Sequence, residues 1–287
     1  MYEVTIGIPS YNEEKNIQNL LESIIDQYHE SYILKEIIIS DDSFDKTPEI
    51  IQKFAKNHPN YNIKLIHHNK RRGASMAWNE IFQEATGQII VLYDADIKLE
   101  KKCTFNLINK ISSNTVLSAS NPQPLQSDNI YGNASKFISS WLRKVRQNGL
   151  SQYTVMGRAL AIKTEIAKKI YIPEDIIAID LYLQNQILRL NHKIIYIDDA
   201  IVYYNTPSSL HDFISQVIRA DNGHHQISSK YVKLPFWNNI IISLKCFIVD
   251  PLGALSVVYC YSFIPYFKMT NSKEFLKSKW NIANSTK

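Results

Sequence analysis

Apolar residues along this chain recur in two rhythms. Short unbroken runs, Val4–Ile8, Ile37-Ile38-Ile39 within Glu36–Ser40, Ile63–His67 and Gln88–Tyr93, have the length and β-branched content of buried strands. Between them apolar positions return every three or four residues: Ile17, Leu20, Leu21, Ile24, Ile25 and Tyr28, then Ile50, Ile51, Phe54 and Ala55, then Ala77, Trp78, Ile81, Phe82 and Ala85. That spacing makes one face of a helix. Strand and helix so alternating predict a mainly parallel sheet with helices on both faces, a three-layer α/β/α sandwich. The punctuation agrees. Ser10 and Glu13 have capping-box spacing, Thr47-Pro48 opens a helix, and Gly87 suits a left-handed cap after the helix Ala74–Ala85.

Past residue 100 the rhythm loosens. Asn121-Pro122-Gln123-Pro124 reads as a break, Asn133–Gln147 as a helix with Phe137, Ile138, Trp141, Leu142 and Val145 inward, and Tyr153–Ile162 as a strand. A helix over Ile179–Leu190, strand pieces Lys193–Ile197 and Ile201–Tyr204, and a helix over Pro207–Gln226 follow. The expected catalytic unit is 1–230, divided near residue 100. The tail, 231–287, differs: Ile240–Val249 and Leu252–Phe267 are strongly apolar but interrupted by Lys245, Asp250-Pro251 and Pro265. No charge-free run of about 20 residues suits a single span. Either a C-terminal core helix pair or interfacial helices fit, with Trp237, Tyr259, Tyr261 and Tyr266 at headgroup level. Lys268, Lys273, Lys277 and Lys279 favour the second, a membrane contact through the apolar helical segment.

Chemistry concentrates where strands end. Ile89–Tyr93 runs into Asp94-Ala95-Asp96, and Ile37–Ile39 into Ser40-Asp41-Asp42. A buried strand gains nothing from such acids, because an unpaired carboxylate out of water costs several kcal/mol. The carboxyl ends of parallel strands are where ligands bind. Two such ends suggest a cation and a phosphorylated ligand. Among 287 residues only eight are glycine, and neither glycine-rich phosphate fingerprint occurs, so phosphate must be held by a metal and side chains. A net charge of +5 is too small to imply nucleic acid by itself, and none is expected as a partner; it suits an anionic donor or membrane surface. The three cysteines have no metal-ligand spacing and leave one unpaired, and the first residues enter a strand without a leader. The expectation is a cytoplasmic chain, at a membrane's cytoplasmic face. The adjacent pairs His67-His68 and His224-His225 lack the spacing of a zinc site.

Ile8-Pro9-Ser10-Tyr11-Asn12-Glu13-Glu14, Asp41-Asp42-Ser43-Phe44-Asp45-Lys46-Thr47 and Asp94-Ala95-Asp96, in that order and on those strand ends, resemble the signatures of family 2 glycosyltransferases. The resemblance runs from residue 4 to about 220 and implies the GT-A fold with a nucleoside-diphosphate-sugar donor, UDP- or GDP-linked. It implies that Pro9, Tyr11 and Glu13 wall the nucleotide, that Asp42 meets the base, and that Arg72, in Asn69–Gly73, lies along the nucleotide or diphosphate. Asp94 then touches ribose or a metal-bound water, and Asp96 ligates Mg²⁺ or Mn²⁺, which neutralises the departing diphosphate. Asp45 suits a helix-capping acid, and Lys70 and Arg71 equally suit a solvated turn.

Pro173-Glu174-Asp175-Ile176-Ile177-Ala178-Ile179-Asp180-Leu181-Tyr182-Leu183 resembles the family's base-bearing segment, but Ile179 replaces the first acid of the usual pair. Asp180 is therefore the expected base, with Glu174-Asp175 the other choice. Tyr203-Tyr204-Asn205 lacks the histidine that relatives often carry there. Gln216-Val217-Ile218-Arg219 resembles the start of the QxxRW motif of processive synthases, yet Ala220 replaces tryptophan. That implies single transfers, with Gln216 and Arg219 touching acceptor or diphosphate, or else forming one polar face of a surface helix. The resemblance thus implies an inverting, metal-dependent transfer to a hydroxyl or lipid phosphate, the acceptor being a glycan or polyprenyl phosphate. The rivals are an inactive relative acting as a membrane or assembly partner, kept open by Ile179 and Asn205, and a sugar-nucleotide pyrophosphorylase. A pyrophosphorylase would bring a glycine-rich first loop, and Pro9-Ser10-Tyr11-Asn12 is not one.

Overall fold

The computed structural model describes residues 1–125, 129–154, 158–227 and 234–270. In chain order its elements are β1 (Tyr2–Ser10), α1 (Ile17–Ile25), β2 (Tyr32–Asp41), α2 (Thr47–Asn57), β3 (Ile63–His67), α3 (Ala74–Glu84), β4 (Ile89–Tyr93), β5 (Ile97–Leu99) and α4 (Cys103–Ile108). There follow β6 (Thr115–Pro124), α5 (Ile130–Gln147), β7 (Ala159–Lys163), α6 (Thr164–Ala167), α7 (Ile179–Arg189), β8 (Lys193–Tyr204), α8 (Leu210–Gln226), α9 (Phe236–Val249), α10 (Pro251–Ser262) and α11 (Ile264–Thr270).

Among the described residues the strands form one eight-stranded sheet in the order β3-β2-β1-β4-β7-β6-β8-β5. Strands β3, β2, β1 and β4 are parallel neighbours, as the βα alternation requires. The sheet becomes mixed at β7, which runs antiparallel between β4 and β6, and at β5, antiparallel to β8. The parallel half is buried on both faces, and the two-residue period sorts its side chains. Ile37, Ile39, Ile89, Val91 and Tyr93 join Leu20, Ile24, Ile51, Phe54 and Leu107 on one side. Ile38, Ile90 and Leu92 join Trp78, Ile81, Phe82, Leu183 and Ile187 on the other. This is the expected three-layer α/β/α sandwich.

Several expectations need correction. The Ser10–Glu13 capping box does not form: α1 starts at Ile17, and the Glu13 carboxylate accepts from Asn16 Nδ2 at 2.9 Å instead. Gly87 is not left-handed; among the described residues the positive-φ glycines are Gly73, which precedes α3, and Gly149. Gly87 is small for a different reason, since a Cβ there would stand 2.7 Å from the Thr5 nitrogen. The segment Asn121–Pro124 is no break but the end of β6, parallel to β8. Its prolines are tolerated because β7 pairs only with residues up to Ala119, leaving that edge without an acceptor to satisfy. The two late strand pieces are one strand, β8, with an irregular register near its middle. Of the strand expected over Tyr153–Ile162, only the part from Ala159 is extended in β7; Ser151–Tyr153 form a 3₁₀ turn and 155–157 lie outside the described residues.

The tail helices pack beside the sandwich. Cys260 of α10 and Phe267 of α11 meet Ala134 of α5 and Phe213, Ile214 and Ile218 of α8, while Ile242 and Cys246 of α9 meet Val145. Among the described residues no single helix is long and apolar enough to cross a membrane; α9 and the stretch Pro251–Met269 reach that composition only together, bent by 117°. Lys273, Lys277 and Lys279 lie outside the described residues.

Candidate active site

The carboxyl ends of β1, β2 and β4 share one edge, with β1 between the other two. Neighbouring strands lie about 4.8 Å apart, so Asp42 and Asp94 flank the end of β1 across about 10 Å. The loop after β1 is stitched to the loop after β2. Asn12 N–H donates to Ser43 Oγ at 2.7 Å, Phe44 N–H to Asn12 Oδ1 at 2.9 Å, and Glu13 N–H to Thr47 Oγ1 at 2.8 Å. Asn12 takes the left-handed conformation at φ 54° that this chain reversal needs, one asparagine tolerates better than most residues. The Tyr11 ring meets Phe44 edge-on and lies 4.2 Å beneath the Arg71 guanidinium, so Arg71 is not a purely solvated turn residue. These contacts build the half-buried wall that includes Pro9, Tyr11 and Glu13.

Asp42 and Arg72 form the floor of the same region. The Asp42 carboxylate accepts the backbone N–H of Arg72 at 2.5 Å and of Gly73 at 2.9 Å, and Arg72 Nε at 3.1 Å. The rest of the Arg72 fork reaches Glu80 at 3.0 and 3.1 Å and Ser40 Oγ at 3.1 Å. Burial opposes the Glu80 charge, but donation from Arg72, Ser40 and His68 wins and lowers its pKa. In this arrangement Arg72 ties the end of β2 to α3 and holds Asp42 in place.

At the end of β4 the ladder with β7 continues one residue further: Asp94 N–H donates to the Arg158 carbonyl at 3.0 Å. The Arg158 side chain then crosses to Asp96, its Nη1 donating to both carboxylate oxygens at 2.9 Å, and passes 3.7 Å from Asp94. Its guanidinium stacks 4.3 Å from the centre of the Tyr204 ring. Desolvation raises the Asp94 pKa, reinforced by Asp96 and opposed by Arg158; water reaching the exposed 43% of its side chain moderates the rise. Burial works against the Arg158 charge, yet Asp96 and Asp94 outweigh it and hold its pKa above the usual value.

Asp180 lies in the first turn of α7, where the helix dipole favours an acid, and its Oδ1 accepts Leu181 N–H at 2.9 Å. Desolvation raises its pKa against the pull of that bond and of Arg219. Arg219, on α8, is pushed down by burial and feels Asp180, Asp94 and Asp96 as counter-charges. Asp94, Asp96, Asp180 and Arg219, far apart in the chain, therefore share one electrostatic site. Gln216 stands half-buried one turn before Arg219. Helix α8 is fastened to the segment before α7 by the Gln226 side chain, which accepts Ile177 N–H at 2.9 Å and donates to the Asp175 carbonyl at 2.7 Å.

Two cations of this site were not among the expected residues. Arg158 is one. The other is Arg146 of α5, which stacks 5.1 Å from the Tyr196 ring, donates to Thr154 at 3.0 Å, and extends its field to Asp180 and Tyr204. The described residues contain no group of three or more His, Cys, Asp or Glu arranged to hold a metal. A hard divalent ion bound with a phosphorylated substrate needs only one or two protein carboxylates, the phosphates and water completing its shell. Asp96 and Asp94 fit such a partial site.

An open α/β sheet with acids at adjoining strand ends, mixed beyond them and closed by an acid and an arginine from later helices, defines the GT-A class of glycosyltransferase. The chain belongs to glycosyl transferase family 2, whose model matches residues 5–170. It is similar to the poly-beta-1,6-N-acetyl-D-glucosamine synthase of Staphylococcus epidermidis, 25% identical over 97% of this chain and 69% of that protein. A dolichol-phosphate mannosyltransferase of Pyrococcus furiosus is 32% identical over 39% of this chain and 30% of its own length. Among solved structures, the mannosyltransferase PcManGT from Pyrobaculum calidifontis, in complex with GDP-Man and Mn²⁺, has the same fold with a TM-score of 0.62. It is 18% identical, over 96% of this chain and 77% of that one. S. aureus TarS 1-349 with UDP-GlcNAc gives 0.55 at 18% identity, over 95% and 77% of the two chains.

Proposed function

We propose that this glycosyltransferase moves a sugar from a UDP- or GDP-sugar, with inversion and in single transfers, to a hydroxyl or lipid-phosphate acceptor. The observation that carries the reading is the convergence of Asp94, Asp96, Asp180 and Arg219 at one sheet edge, beside the wall formed by Pro9, Tyr11 and Glu13. The nucleotide-sugar and Mn²⁺ complexes of structures sharing the fold support the donor class and a divalent ion, Mg²⁺ or Mn²⁺. Asp96, with Asp94, would hold that ion, which supplies positive charge to the departing diphosphate.

The chain's own groups account for the rest. Asp180, with its raised pKa, takes the proton from an acceptor hydroxyl, or orients a phosphate acceptor that has no proton to lose. Attack on the face opposite the leaving diphosphate inverts the anomeric carbon. Arg219 and Gln216 lie on the acceptor side and steady the acceptor or the diphosphate. Ala220, where processive synthases carry tryptophan, supports single transfers. Residues 1–230 form the catalytic unit. Helices α9, α10 and α11 rest against α5 and α8, and the apolar side chains they leave exposed support contact with the cytoplasmic face of a membrane, where a polyprenyl phosphate would be presented.

The test is release of UDP or GDP from a panel of sugar nucleotides, with Mn²⁺ and with EDTA. Ion-dependent release that Asp96→Ala abolishes is expected. Silence with every donor, or equal release in EDTA, would overturn the reading.

A further inference from the structure

Arg158 occupies the place a metal-binding carboxylate should keep open. One nitrogen bridges both oxygens of Asp96 at 2.9 Å, so the acid assigned to the ion is already neutralised by a cation from the protein itself. Three features make this a built contact. The Arg158 backbone is pinned by the ladder bond from Asp94, its guanidinium rests 4.3 Å from the Tyr204 ring centre, and its side chain is only 22% exposed. A charge-assisted contact shared between both carboxylate oxygens, made by a stacked and mostly buried guanidinium, is stronger than an exposed surface ion pair. An ion approaching Asp96 must displace Arg158 and is repelled by it until it does.

We infer that Arg158 is a positioning residue that couples ion binding to donor binding. Without donor it is the counter-charge of Asp96 and keeps the site from filling with free metal. When a nucleoside diphosphate arrives with its ion, the guanidinium turns from Asp96 to the diphosphate oxygens, a second anion of matching geometry within reach of the same stacked base. Ion and donor then bind as a pair, each raising the affinity for the other by the same factor. The inference rests on the nucleoside-diphosphate reading above.

The experiment measures Mn²⁺ binding to the full chain by calorimetry, alone and with UDP or GDP, in wild type, Arg158→Gln and Arg158→Lys. A charge within a few ångströms changes a carboxylate's affinity for a bound cation by about tenfold or more. Arg158→Gln is therefore expected to bind Mn²⁺ alone about tenfold more tightly than wild type, and to bind the diphosphate less tightly when Mn²⁺ is present. Arg158→Lys, which keeps the charge, is expected to bind Mn²⁺ alone as weakly as wild type. Unchanged Mn²⁺ affinity in Arg158→Gln, or identical behaviour of the two variants, would overturn the inference. If neither UDP nor GDP binds wild type with Mn²⁺, the donor reading fails instead. Should Arg158→Gln not fold, the arginine side-chain ¹⁵N resonances of wild type decide: the Arg158 signal shifts when Mg²⁺ and diphosphate are added together, and an unmoved signal refutes the coupling.

Discussion

Gly223 of α8 packs directly on Ala178, the residue that precedes α7: a Cβ on Gly223 would stand 2.5 Å from the Ala178 Cβ. Glycine inside a helix costs about 1 kcal/mol relative to alanine, so on propensity alone Gly223→Ala should stabilise. The contact predicts the opposite. Overpacking costs about 1–3 kcal/mol and would push α8, with Arg219, away from Asp180. A displacement of about 1 Å is enough to slow turnover about a hundredfold. Gly223→Ala should lower both the melting temperature and kcat, and adding Ala178→Gly should recover both. A single variant as stable and active as wild type would show that α8 has slack here.

As the proposed base, Asp180 would act through its ionised form, and burial has raised its pKa above the ordinary carboxylate value. Transfer to a hydroxyl acceptor should hence be full at alkaline pH and fall as pH drops through that raised pKa. Asp180→Asn should keep donor affinity, lose turnover by about 10²–10⁴-fold, and abolish the acid limb. An acid limb surviving in Asp180→Asn protein would assign the limb to another group.

The parallel half of the sheet was legible because both of its signals are local. Ile37–Ile39 and Ile89–Tyr93 are continuous apolar runs, and the period of Ala77, Trp78, Ile81, Phe82 and Ala85 marks one helix face without knowledge of its neighbours. The acids at the strand ends were legible because burial gives them no reason to be there. The mixed half depends on pairing between distant segments. Pro122 and Pro124 read as a break until one knows that β7 has already ended beside them. Arg158 carries no local signature at all. It gains its role from standing opposite Asp94 in an antiparallel ladder, a register that no periodicity encodes. Gly87 follows a helix end, which suggests a cap, while the demand for glycine comes from the backbone of β1.

Arg72 gives a prediction about stability. Its fork satisfies Asp42, Glu80 and Ser40, so Arg72→Ala takes the counter-charge from two poorly exposed carboxylates, Asp42 keeping its two backbone N–H donors and Glu80 keeping Ser40 and His68. The expected loss is about 2–3 kcal/mol in urea unfolding at neutral pH. The pH dependence has a definite sign. The folded pKa of Glu80 is lowered, so its contribution is complete above the ordinary carboxylate value and disappears as pH falls through the lowered one. Wild type and Arg72→Ala should therefore converge in stability toward acid pH, and a constant difference down to pH 2 would exclude Glu80 as the source.

The apolar tail predicts a membrane contact that can be removed without touching the catalytic unit. Ile248, Val249 and Leu252, 78%, 82% and 73% exposed, surround the bend between α9 and α10, and Trp237, 72% exposed, lies at the opposite end of α9. Burying one such side chain is favourable by about 1.5–3 kcal/mol, so the group is sufficient for reversible binding to a bilayer surface. The chain's net charge of +5 adds attraction to anionic headgroups. Sedimentation with vesicles containing phosphatidylglycerol should carry the wild-type chain down, less so at high salt and less with phosphatidylcholine alone. The double variant Ile248→Glu, Val249→Glu should stay in the supernatant. Because both side chains already face solvent, its melting temperature and its donor hydrolysis should match wild type. Equal sedimentation of the two proteins would exclude this surface as the membrane contact, while no sedimentation of either would leave the same surface for a protein partner.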